Sequence, residues 1–84
     1  METCEQIRAA RALLGWSAAQ LAERAQVSLR SVQRWEAGGG AALLPAIRAA
    51  IVGALDRGGV DFADGGVKPR YGSPLARKFR SGGL

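Results

Sequence analysis

The chain has 84 residues, 48% of them hydrophobic and 23% charged, with a net charge of +5. That length supports one small domain, its hydrophobic content argues against wholesale disorder, and its charge favours an anionic partner. With no histidine, ordinary zinc sites and histidine-based catalysis are excluded, and the single cysteine, Cys4, cannot form an intrachain disulfide. No clustered carboxylate pair stands in for them, so neither an enzyme nor a cofactor is expected. No apolar run approaches the ~20 residues of a membrane span, and the basic C-terminal stretch lacks the apolar helical face of a membrane-surface binder. The start, METCEQIRAAR, lacks the order of a signal peptide. A cytoplasmic, nucleoid-associated protein is expected.

Four helices are predicted first. The first runs from about Thr3 to Leu14, with Cys4, Ile7, Ala10 or Arg11, and Leu14 on one face and Gly15 ending it. The second runs from about Ala18 to Ala25. Ser17 and Gln20 form a capping box before it, in which each side chain satisfies a free backbone N–H. Leu21 and Ala22 point inward, and Trp16 staples the approach to the helix or fills the core. After Gln26-Val27-Ser28 comes a third helix, about 28–37, with Ser28 as N-cap. At ~100° per residue, Val32 and Trp35 share its buried face, with Leu29 and Glu36 at the edge. Arg30 and Arg34 point outward, flanked by Ser31 and Gln33. Gly38-Gly39-Gly40 reads as a flexible connection. The fourth helix starts near Leu43 to Pro45 and carries Leu44, Ile47, Ile51 and Leu55 on one stripe, with Val52 beside it, until Gly58-Gly59. Beyond it, Val60–Phe62 and Val67–Tyr71 read as short strands around a turn at Asp64-Gly65-Gly66, and 73–84 as a flexible tail.

A tight turn between two short helices needs small apolar contacts at fixed places. Leu21, Ala22, Val27, Val32 and Trp35 supply that set, and Ala22 leaves no room for anything larger. The stretch RALLGWSAAQLAERAQVSLRSVQRWEAG resembles the Cro/C1-type, or XRE-family, helix-turn-helix of phage repressors and bacterial regulators. The resemblance covers about two-thirds of the chain. It implies an all-α, four-helix, lambda-repressor-like DNA-binding domain over 1–59, followed by an extended or β segment and basic tail over 60–84. It also implies a structural salt bridge between Arg11, late in helix one, and Glu36, at the end of the recognition helix. Two positions depart from the family pattern. Gln26 stands where glycine often makes a left-handed turn, and Ala18 replaces a glutamine that touches phosphate at the start of helix two.

The implied function is sequence-specific DNA binding by a transcriptional regulator, most simply a repressor. A recognition helix in the major groove presents its N-terminal part to the base edges. Arg30 and Arg34 are candidates for bidentate contacts to guanine, Gln33 for adenine, and Leu29 for a thymine methyl. Ser17, Ser28 and Ser31 suit phosphate positioning. Lys68 and Arg70, with Arg77, Lys78 and Arg80, form a second basic element, either a DNA arm or a solubilising tail. One such motif covers few base pairs, so a homodimer on a pseudo-palindromic site is expected, with Leu43, Ile51, Val52 or the Val60–Phe62 strand at its seam. Two other roles fit the same motif: the DNA-binding antitoxin of a toxin–antitoxin pair, and an activator that contacts RNA polymerase.

Overall fold

A computed structural model describes residues 1–63 and 65–76. Among these residues the chain forms α1 (Cys4–Leu14), α2 (Ala18–Ala25), α3 (Leu29–Arg34), α4 (Pro45–Arg57), β1 (Val60–Ala63) and β2 (Gly66–Pro69). A widened helical turn, Trp35–Gly39, and one 3-10 turn, Gly40–Ala42, join α3 to α4. No helix among the described residues is long and apolar enough to cross a membrane.

Local chemistry sets the helix ends. At α1 the Thr3 hydroxyl accepts from the Gln6 N–H (3.1 Å) while the Gln6 side chain accepts from the Thr3 N–H (2.8 Å). Ser17 and Gln20 repeat this reciprocal cap at α2 (3.1 and 2.7 Å). Both helices stop on a left-handed residue, Gly15 at φ 72° and Gln26 at φ 57°. The next N–H reaches back across the last turn in each case, Trp16 to the Arg11 carbonyl and Val27 to that of Ala22. This closure uses two otherwise orphaned carbonyls per helix.

One core collects every element. Ile7 and Ala10 of α1 meet Leu21, Ala22 and Ala25 of α2, Val32 of α3, Trp35, and Ile51, Ala54 and Leu55 of α4. Each large aliphatic side chain so buried contributes roughly 1.5–3 kcal/mol. Val60 and Leu75 belong to the same cluster, so the segment after α4 adds to the helical core. The hairpin is antiparallel, pairing Val60 with Pro69, Asp61 with Lys68, Phe62 with Val67 and Ala63 with Gly66, and it packs on α1. Gln6, buried beneath it, donates its side-chain N–H to the Gly66 carbonyl (3.2 Å). The domain is therefore mostly helical, with a two-stranded sheet near its C-terminal end.

Several expectations from the sequence change here. Leu44 is not on the inner stripe of α4: it is the extended N-cap residue and is 70% exposed. Ile51 is fully buried, so it cannot lie at a seam between copies. The second strand stops at Pro69, whose ring nitrogen has no proton to donate, and Tyr71 stands in solvent. Residues 73–76 are not a flexible tail, because Leu75 inserts into the core and the Ser73 hydroxyl accepts from the Ala76 N–H (3.1 Å). Arg77, Lys78, Arg80 and Asp64 lie outside the described residues.

The glycine run is not a loose connection. Gly38 takes φ 99° and ends the helix that begins at Leu29. Gly39 packs on the Arg34 side chain: a Cβ there would sit 2.9 Å from Arg34 Cγ. Gly40 is buried against the Trp35 indole, where a Cβ would fall 2.5 Å from Cδ1 and 2.6 Å from Nε1. Three adjacent glycines thus answer three different steric demands.

Candidate nucleic-acid interface

The recognition helix is set by contacts on its inner side. Ser28 caps it, its hydroxyl accepting from the Ser31 N–H (3.1 Å) and lying 3.0 Å from the Ser31 hydroxyl. Val32 and Trp35 hold its inner face in the core. Beyond Arg34 the backbone stays helical at Trp35, and Glu36 follows in the same turn. Arg11 of α1 grips Glu36 through two bonds, Nε to Oε2 at 2.7 Å and Nη2 to Oε1 at 3.0 Å. That fork geometry suits guanidinium and carboxylate. It raises the Arg11 pKa, chiefly through the hydrogen bond to Glu36. Arg11 Nη1 also donates to the Trp16 carbonyl (3.0 Å), and Arg8 donates to the Glu36 carbonyl. Two arginines of α1 therefore fix the end of the recognition helix and the turn before α2 together.

The outer side is different. Arg30, Gln33 and Arg34 are exposed, and none of the three has a side-chain hydrogen bond or ion pair among the described residues. They line one shallow, open depression of about 400 Å³ with Ala37 and Gly39. Arg30 and Arg34 stand one turn apart, about 6 Å along the axis. Leu29 is 41% exposed at the start of this face. Ser17 and Ser28 are exposed at the N-termini of α2 and α3, and Ser31 is half-buried. Such a surface offers forked donors, one amide and one apolar contact, the types that match base edges and methyl groups.

The C-terminal basic residues separate. Lys68 is exposed on β2, opposite Asp61. Arg70, expected at phosphate, is occupied within the fold. Its Nε donates to Asp61 (3.0 Å), its Nη2 pairs with Asp56, and its backbone N–H donates to the Gly59 carbonyl (2.6 Å). The hydrogen bond to Asp61 leads the causes that raise its pKa. Arg70 ties the end of α4 to the hairpin. Sequence periodicity missed Gln6 in the same way, although the spacing of Thr3 and Gln6 marks a cap.

Two capped helices, a left-handed turn between them and a donor-rich outer face on the second define a helix-turn-helix DNA-binding domain. A family model described as Helix-turn-helix matches residues 7–50, just over half of the chain. The chain belongs to this XRE-type family of DNA-binding transcriptional regulators. The match runs from Ile7 in α1 to Ala50 in α4 and stops short of the hairpin. No curated protein and no solved structure matches the chain.

Proposed function

We propose that this regulator is a repressor that binds a pseudo-palindromic operator as a homodimer, reading each half-site with the outer face of α3. Arg30 and Arg34 contact guanine O6 and N7, Gln33 contacts adenine or phosphate, and Leu29 meets a thymine methyl. Ser17, Ser28, Ser31 and Lys68 position the phosphates. Arg11 and Glu36 hold the reading helix without touching DNA. Residues 1–59 carry this activity, and the hairpin buttresses α1. The observation that carries the reading is the contrast between inner and outer arginines. Arg8, Arg11, Arg48 and Arg70 all donate to carbonyls or carboxylates of the chain and Arg24 lies over the Trp16 ring, whereas Arg30 and Arg34, one turn apart on α3 of the matched motif, have no such contact among the described residues. Repression is the simplest outcome, since occupancy of a promoter requires no further contact.

Genome-wide mapping of binding sites, followed by a footprint of the best site, supplies the operator and the half-site spacing. On that site Arg30→Ala and Arg34→Ala should each cost about 1–3 kcal/mol, roughly 5- to 150-fold in affinity, with thermal stability unchanged. Unchanged binding by both variants would remove the groove assignment. A mapped site that activates its promoter would replace repression, and recovery of a stoichiometric small toxin would replace it with the antitoxin role.

A further inference from the structure

The fourth helix is apolar on two sides. Its inner stripe, Ile51, Ala54 and Leu55, fills the core. Its outer stripe, Ala49, Val52 and Gly53, instead floors an open groove of about 440 Å³, walled by Met1, Glu2 and the edge of Trp35. Met1 is 76% exposed there. On the helix itself the charged residues of this face stand at the ends of the stripe, while Glu2 lies on the wall beside it. Arg48 and Asp56 lie four residues to either side of Val52, each about 6 Å away along the axis.

That spacing is self-complementary. An interface with two-fold symmetry pairs residue i of one copy with j of the other, and j with i. We propose that the groove receives a second copy of this chain, α4 packing antiparallel on α4 across an axis at Val52, so that Arg48 of each copy meets Asp56 of the other. The groups at both ends have capacity to spare. Arg48 is pinned through Nη1 alone, to the carbonyls of Gly40 (3.0 Å) and Leu43 (2.5 Å), and its Nε and Nη2 have no partner among the described residues. Asp56 engages Arg70 through Oδ1, and its Oδ2 has no partner among the described residues, its side chain being 60% exposed. At the centre, alanine, valine and glycine let two helices approach closely. An unrelated apolar helix would fit the floor but would not require opposite charges placed symmetrically about one residue.

This inference rests on the homodimer reading, and the test separates the two. In the full chain carrying Cys4→Ser, Val52→Cys places a thiol on the axis. Mild oxidation should convert most of it to a disulfide dimer on a non-reducing gel. Ala46→Cys, roughly 120° around the same helix, should stay monomeric on the gel. Val52→Arg, checked for an unchanged thermal melt, should sediment as a monomer. It should bind a single half-site as the parent does and lose roughly 100-fold or more on the complete site. If the parent sediments as a dimer but Val52→Cys cross-links no better than Ala46→Cys, the seam lies elsewhere and only this inference falls. If the parent is a monomer both free and on its mapped site, the homodimer reading falls and the seam with it.

Discussion

Replacing Gly40 with alanine is the sharpest test of how the recognition helix is locked. Gly40 sits at φ −59° and ψ −31°, ordinary helical values, so alanine meets no backbone strain. By the unfolded-state argument alone, Gly40→Ala should stabilise the protein by about 0.4–1 kcal/mol. The packing argument has the opposite sign. The new methyl would lie 2.5 Å from Trp35 Cδ1, and Trp35 is 1% exposed, with core on its other side. An indole so enclosed cannot swing aside as a lysine or arginine tip would, and overpacking of this kind costs about 1–3 kcal/mol. The net expectation is a loss of about 1–2 kcal/mol, which lowers Tm by roughly 5–10 °C in a domain of this size. Thermal melts followed by circular dichroism measure it. A Tm equal to or above that of the parent would refute the close packing of Gly40 on Trp35. Gly39→Ala is the companion measurement. Its methyl meets the Arg34 side chain, so it should perturb DNA affinity more than it perturbs Tm.

Three further expectations follow from single contacts. The Arg11–Glu36 pair is partly shielded, with side chains 25% and 11% exposed, so a double-mutant cycle with Arg11→Met and Glu36→Gln should show coupling of about 1–2 kcal/mol by chemical denaturation; coupling near zero would mean the pair is incidental. Gln26→Gly relieves a left-handed backbone at an exposed position and should raise Tm by a few degrees, roughly 0.5 kcal/mol, whereas Gln26→Val should lower it. Arg70→Gln should lower Tm while leaving unchanged the slope of log affinity against log salt for DNA; a slope shallower by about one unit would instead place Arg70 at a phosphate.

The helix-turn-helix was legible because its determinants are local. Capping boxes, the inward Leu21–Ala22 pair and the Val32–Trp35 spacing each follow from residues within a turn or two of one another. The Arg11–Glu36 contact joins positions 25 apart, and only the family resemblance brought it forward. The misread features have non-local causes. Leu75 is surrounded in sequence by glycine, proline and basic residues, and nothing nearby shows that Val60 and Gly59 will be waiting for it. Arg70 reads as one more cation of a basic tail until β1 and the end of α4 bring Asp61 and Asp56 to it. The glycine run shows the limit of composition. Gly-Gly-Gly signals flexibility when nothing lies alongside, and here an indole and an arginine do.

Net charge is correspondingly a poor guide to the DNA surface of this domain. A large part of the positive charge is internal structure: Arg8 and Arg11 clamp the end of the recognition helix, Arg48 holds the turn before α4, Arg70 fastens the hairpin, and Arg24 lies 4.4 Å over the Trp16 ring. These guanidiniums exchange water for carbonyls, carboxylates or an aromatic face, and moving them to phosphate would forfeit those contacts. Among the described residues Arg30 and Arg34 have no such contact to forfeit. Their cost of ordering is met only when a ligand supplies acceptors, and the helix that carries them is held from its other side by Val32, Trp35 and Glu36. Rigidity is thus built on the inner face of α3, while the unspent donors are kept on the outer one. That division, more than a charge of +5, is the ground on which we propose this face for DNA.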